Sequence, residues 1–176
     1  MKTLFLLALF FISCALFAQG ALAQAGEKKI LVAFFSWSGN ARVLAQQIAA
    51  ETGGDLFEIK TVNSYPDNYD ECIDVAKKEQ NDNARPAIVA SVADLGQYGI
   101  VFLCYPNWWG TLPMGVFTFL ESHDLSGKTV YPVVTHGGSK FGSSLSDLKK
   151  LAPKAEIGEG LSVSAFDRNP GDNPVV

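Results

Sequence analysis

The sequence predicts one α/β domain: an open parallel sheet of five strands, order 2-1-3-4-5, with helices on both faces. Two observations carry this. Residues 29–35 and 100–105 are apolar almost throughout and of strand length, as expected for strands covered on both faces. Between the strand-like runs lie segments with helical periodicity, joined by short connections, which implies right-handed crossovers and a parallel sheet.

The first strand, Lys29-Ile30-Leu31-Val32-Ala33-Phe34-Phe35, is followed by a helix. Ser38 or Asn40 can cap it, Leu44, Ala45, Ile48 and Ala49 share one face, and Gly53-Gly54 stops it. Residues 56–59 make a short second strand, and Tyr65-Pro66-Asp67-Asn68 is turn chemistry. Tyr69, Cys72, Ile73 and Ala76 mark a second helical face ending near Gln80, before a polar loop at 81–86. The third strand is 100–105. Pro113 suits a first helical position, with Val116, Phe117 and Leu120 after it. Residues 129–135 form the fourth strand. Phe141, Leu145 and Leu148 indicate a fourth helix, and 157–163 the fifth strand.

The chain has 176 residues, 14 Lys+Arg against 18 Asp+Glu, and 3 Cys. That suits one domain. The mild acidity and absence of a basic stretch argue against nucleic-acid binding, and three cysteines cannot build a disulfide framework. Residues 1–23 read as an export signal: Lys2, an apolar middle from Leu4 to Phe17, and Ala21-Leu22-Ala23. Cleavage after Ala23, with Ala25 the second choice of cut, leaves 24–176 as the domain, a periplasmic or secreted protein with no stable membrane span. A membrane anchor and a lipoprotein cut before Cys14 are the alternatives. No twin-Arg pair is present, so export is expected for the unfolded chain, with any cofactor acquired afterwards. Of Cys72 and Cys104, which an oxidising compartment could pair, Cys104 lies in an apolar run and reads as a buried thiol.

Open α/β sheets bind ligands beyond the carboxyl ends of their strands, at the switch point between strands 1 and 3. Three loops there are chemically unusual. Ser36-Trp37-Ser38-Gly39-Asn40-Ala41 offers hydroxyls and backbone N–H groups at a helix N-terminus, a phosphate cradle without lysine. It matches neither a Walker loop nor Gly-x-Gly-x-x-Gly, and its Ser and Asn could simply cap the helix. Pro106-Asn107-Trp108-Trp109-Gly110 places two indoles where they can stack on a ring system, or fold back on the core. Thr135-His136-Gly137-Gly138-Ser139 can bring backbone donors close to a planar edge, or form a plain turn. Together they suit a planar heterocycle bearing one phosphate.

These loops resemble those of the flavodoxin family, over roughly Lys29 to Val163. The first is similar to the family's FMN-phosphate loop. Tyr105-Pro106-Asn107-Trp108-Trp109-Gly110-Thr111-Leu112-Pro113 and Thr135-His136-Gly137-Gly138-Ser139 look like its two isoalloxazine loops. The Pro-x-Trp-Trp-Gly-Thr-x-Pro run and the uninterrupted fifth strand resemble short-chain members. The resemblance implies bound FMN, with Ser36, Ser38 and Asn40 on the phosphate, Trp108 or Trp109 over one flavin face, and Gly137, Gly138 and Ser139 along the pyrimidine edge. Family loops often carry Thr where Ala41 stands, so one hydroxyl contact, worth about 1 kcal/mol, is missing. The resemblance also implies a closing helix, which is expected to be cut short here. Pro170, Gly171 and Pro174 forbid a helix through 169–174, which would leave one sheet face partly bare and favour association, a homodimer included.

An acidic protein and an apolar stack disfavour added negative charge on a flavin. His136 and Lys140 are the cations nearest the loops, and His136 either titrates near neutral pH or is a neutral ring bonded to backbone. No catalytic acid or base is assigned. The leading expectation is an exported FMN electron-transfer protein with a protein redox partner. The alternatives are an NAD(P)H-dependent FMN oxidoreductase acting on a quinone or similar small acceptor, and a scaffold of this fold that no longer binds FMN. A Ser/His hydrolase using Ser38 or Ser139 with His136 lacks the Gly-x-Ser-x-Gly elbow.

Overall fold

Residues 28–164 are described by the structure, a computed structural model. Residues 1–27 and 165–176 lie outside the described residues, so the expectations of an export signal, of its cleavage and of a missing closing helix rest on sequence. Six strands and four α-helices follow in chain order: β1 (Lys29–Phe34), α1 (Asn40–Thr52), β2 (Asp55–Glu58), α2 (Tyr69–Asn81), β3 (Tyr98–Pro106), α3 (Met114–Ser122), β4 (Thr129–His136), α4 (Ser144–Leu151), β5 (Glu156–Ile157) and β6 (Leu161–Ser164).

All ladders of this sheet are parallel, in the order β2-β1-β3-β4-β5, with β6 also on β4. The predicted single fifth strand is therefore two short ones, both paired to β4. The break falls at Gly158–Gly160. A side chain on Gly158 would meet the Tyr131 ring at 2.4 Å, and one on Gly160 the Phe141 ring at 2.6 Å. Two aromatic rings thus occupy the space that a regular strand with side chains needs.

Alternation along the central strands divides the core. Leu31, Ala33 and Phe35 face Leu103, Tyr105, Val116, Phe119 and Leu148 beneath α3 and α4. Val32 and Phe34 face Ala41, Ala45, Cys104 and Val133 beneath α1. This is why β1 and β3 read as unbroken apolar runs. On the α1 face Phe102 stacks on Tyr131, centroids 5.3 Å apart, and Leu161 is 52% exposed. Cys72 and Cys104 are both buried and free. Burial pushes the Cys104 thiol up to about 12, so it stays protonated and inert at neutral pH.

Helix boundaries follow local chemistry. Asn68 Oδ1 accepts the Glu71 N–H at 3.1 Å and opens α2. Gly53, at φ 67, closes α1 by donating its N–H to Ala49 O. The start of α1 corrects an expectation. Neither Ser38 nor Asn40 caps it; Gly39 is the N-cap, at φ 88, with no side-chain cap. Phe141 lies in the turn before α4 rather than on it, and Pro113 caps α3 instead of opening it. Two features had no sequence signal: a 3-10 turn at Leu95–Gln97, and an antiparallel bridge between Thr61 and Ile88.

Candidate functional site

The β1–α1 loop ends a strand whose last residues are fully buried, so its backbone is held at the sheet's carboxyl edge. Within it the Ser36 hydroxyl is buried and has no hydrogen-bond partner. A buried hydroxyl left in that state costs roughly 1–3 kcal/mol, and it sits in the loop leading to a helix N-terminus with no side-chain cap. The helix dipole adds partial positive charge there. Trp37 Nε1 donates to Pro66 O at 2.9 Å, and its ring tilts over Tyr69 at 6.2 Å.

After β3 the chain makes a tight hairpin. Trp108 and Thr111 exchange backbone hydrogen bonds of 2.9 and 3.0 Å. Trp109 and Gly110 at its tip have φ 49 and 84, the positive pair of a type I′ turn. Asn or Gly normally takes the first of these places; a tryptophan there costs about 1–3 kcal/mol of strain. The two indoles part company. Trp108 is half-buried, edge-on to Phe35 at 5.2 Å and to Tyr65 at 4.9 Å. Trp109 is 49% exposed and lies across α2. The Glu79 carboxylate takes the Tyr65 hydroxyl at 2.6 Å, and burial together with this bond holds the phenol far above its usual range.

The loops brace one another. Asn107 Nδ2 donates to Lys140 O at 2.7 Å, its Oδ1 accepts the Gly110 N–H, and its own N–H donates to Thr135 O. Thr111 and Ser143 hydroxyls donate to Asp147 Oδ2 at 2.7 and 2.9 Å. Burial works to raise the Asp147 carboxyl, but hydrogen bonds from Thr111, Lys150 and Ser143 outweigh it and hold the group below its usual range. In the β4–α4 loop the Gly138 N–H donates to His136 Nδ1 at 2.9 Å, which leaves the proton of the neutral ring on Nε2.

A cleft of about 370 Å³ opens between these loops. It brings together Trp37, Ser38 and Asn40 from the first, Pro106, Asn107, Trp108 and Trp109 from the second, and Thr135, His136 and Gly137 from the third. Ser36, Gly39, Gly110, Gly138 and Ser139 stand in the same loops but outside its lining. The Ala41 side chain, 2% exposed, packs into the core under α1, because its Cβ lies on the sheet side of that helix. The fourth wall was missed: Tyr69, Cys72, Ile73 and Ala76 of α2. Their spacing was legible as an apolar helix face, but nothing in it distinguished a cleft wall from core.

The chain matches the flavodoxin family model over residues 29–167 and belongs to that family. No curated protein matches it. Among solved structures it is similar to a provisionally named flavoprotein of Bacteroides eggerthii, at 37% identity and TM-score 0.71, covering 81% of this chain and 91% of that one. It is similar to another from Bacteroides uniformis at 29% identity and TM-score 0.72, covering 78% and 91%. A flavoprotein of Lactobacillus acidophilus, solved in complex with FMN, shares the fold at 22% identity and TM-score 0.68, covering 77% and 93%.

Proposed function

We propose that this protein binds FMN in the cleft and works as an electron-transfer protein. The observation that carries the reading is the buried, unpartnered Ser36 hydroxyl in the loop before an uncapped helix N-terminus. Such a pair suits an anion, and the next residues of the same loop, Trp37, Ser38 and Asn40, line the cleft. The FMN complex of the Lactobacillus acidophilus protein supports the same cofactor.

Bound FMN supplies one- and two-electron transfer. Ser36, Ser38 and Asn40, with the first-turn N–H groups of α1, hold the phosphate. Trp108, Trp109 and the α2 wall take the ring by apolar contact and exclude water. On the other side of the cleft Thr135, His136 and Gly137 form the wall that the ring's polar edge would meet, while the Gly138 N–H is spent on His136 Nδ1. A volume near 370 Å³ is at the small end of the roughly 300–1,000 Å³ range of ligand sites. It suits one mononucleotide.

The test is titration by flavin fluorescence and visible absorbance. FMN binds at micromolar concentration or below. Ser36→Ala weakens FMN about ten- to a hundredfold, one hydrogen bond to a charged group, and barely affects riboflavin. NADH or NADPH with a quinone gives no turnover. Absence of any flavin binding would sink the proposal. Equal losses for FMN and riboflavin would remove Ser36 from the phosphate site, and turnover would move the reading to an oxidoreductase.

A further inference from the structure

We infer that Lys77 and Gln80 of α2 are positioning residues that clasp Trp109 and set its indole as the wall against which the flavin ring binds. The inference rests on the FMN reading above.

Trp109 needs external support. A bulky residue at φ 49 in the first place of a positive-φ turn does not hold that backbone by preference. Three contacts supply the hold, all from one helix. Trp109 Nε1 donates to Ile73 O at 3.0 Å. Gln80 Nε2 donates to Trp109 O at 3.0 Å. The Lys77 ammonium stands 4.9 Å from the Trp109 ring centroid. Lys77 Nζ also donates to Gln80 Oε1 at 3.0 Å, which ties the two clasping side chains together. Positions 73, 77 and 80 are spaced i, i+4, i+7, so they form one stripe of the helix.

Neither Lys77 nor Gln80 lines the cleft, whereas Trp109, Ile73 and Ala76 do. Their influence on a ligand therefore passes through the indole. Gln80 fixes the backbone of the turn, Ile73 fixes the plane of the ring through its N–H, and Lys77 covers a face of the indole by a cation–π contact. The phosphate loop after β1 takes no part in these contacts. The clasp should therefore govern recognition of the flavin ring and leave recognition of the phosphate alone.

The experiment uses Lys77→Met, Lys77→Arg and Gln80→Ala in the full chain. The Trp109 indole N–H signal, assigned with Trp109→Phe, is followed in ¹⁵N-labelled protein before flavin is added. FMN and riboflavin are then titrated in parallel. Lys77→Met and Gln80→Ala should shift the indole signal and speed its exchange with solvent. Both should weaken FMN and riboflavin by the same factor, about five- to tenfold. Lys77→Arg should restore the signal and the affinities, because a guanidinium also stacks on an indole. With a wild type that binds both flavins, an unmoved indole signal or unchanged affinities overturn the clasp alone. So does a loss confined to FMN, which would put Lys77 on the phosphate, or an Arg variant as weak as the Met variant. A wild type that binds neither flavin overturns the FMN reading, and the inference with it.

Discussion

Ser36 shows how one atom separates folding from function. Its hydroxyl is buried without a partner, so Ser36→Ala should leave the flavin-free protein as stable or up to about 1 kcal/mol more stable, as read by urea denaturation. The same change weakens FMN. A substitution that improved both would show that the hydroxyl serves neither purpose. Asp147 behaves oppositely. Its folded carboxyl is held below the usual 3.8 by hydrogen bonds from Thr111, Lys150 and Ser143 against the opposing effect of burial. A depressed carboxyl stabilises the fold above its unfolded pKa, and that contribution is lost as pH falls through the folded value. Asp147→Asn should thus cost about 1–2 kcal/mol at pH 7, with the gap to wild type narrowing towards pH 3. Equal gaps at both pH values would show that the charge of Asp147 contributes nothing.

The cleft loops are shaped where elements meet. Gly142 has φ 54, and a Cβ on it would lie 2.3 Å from Gly110 O, beside the 2.7 Å bond from Ser143 N–H to that same oxygen. Gly142→Ala should destabilise the protein by about 2–3 kcal/mol and loosen the Trp108–Thr111 hairpin; a thermal melt beside a flavin titration checks both. Element identity was legible because apolar runs and the 3.6-residue period survive in one dimension. The stripe 69, 72, 73, 76 announced α2, and Gly53-Gly54 announced the end of α1. The cap of α1 was misread because Ser38 and Asn40 have the right side chains in the right place, while the backbone choice of Gly39 depends on how the loop leaves the sheet. The split of the fifth strand was hidden for a similar reason: the rings of Tyr131 and Phe141 reach Gly158 and Gly160 only in the folded sheet.

For the whole molecule, a ligand that binds only the folded state adds stability by mass action. FMN at about one hundred times its Kd should contribute about 2.7 kcal/mol and raise Tm by roughly 5–10 °C, with riboflavin giving less because it lacks the phosphate. No rise with saturating FMN would contradict a site formed by the native fold. The sequence by itself determined the parallel sheet, its order, the family, and the three loops at its carboxyl edge. Those follow from local pattern: strand and helix periods, turn residues and a Trp-Trp-Gly motif. Only the tertiary structure decided which tryptophan packs inwards and which lies across α2, that α2 supplies a wall, and that Ala41 belongs to the core. Side-chain direction at a junction is set by contacts between residues some 30 positions apart, such as Trp109 with Ile73 and Asn107 with Lys140, and no local spacing encodes those contacts.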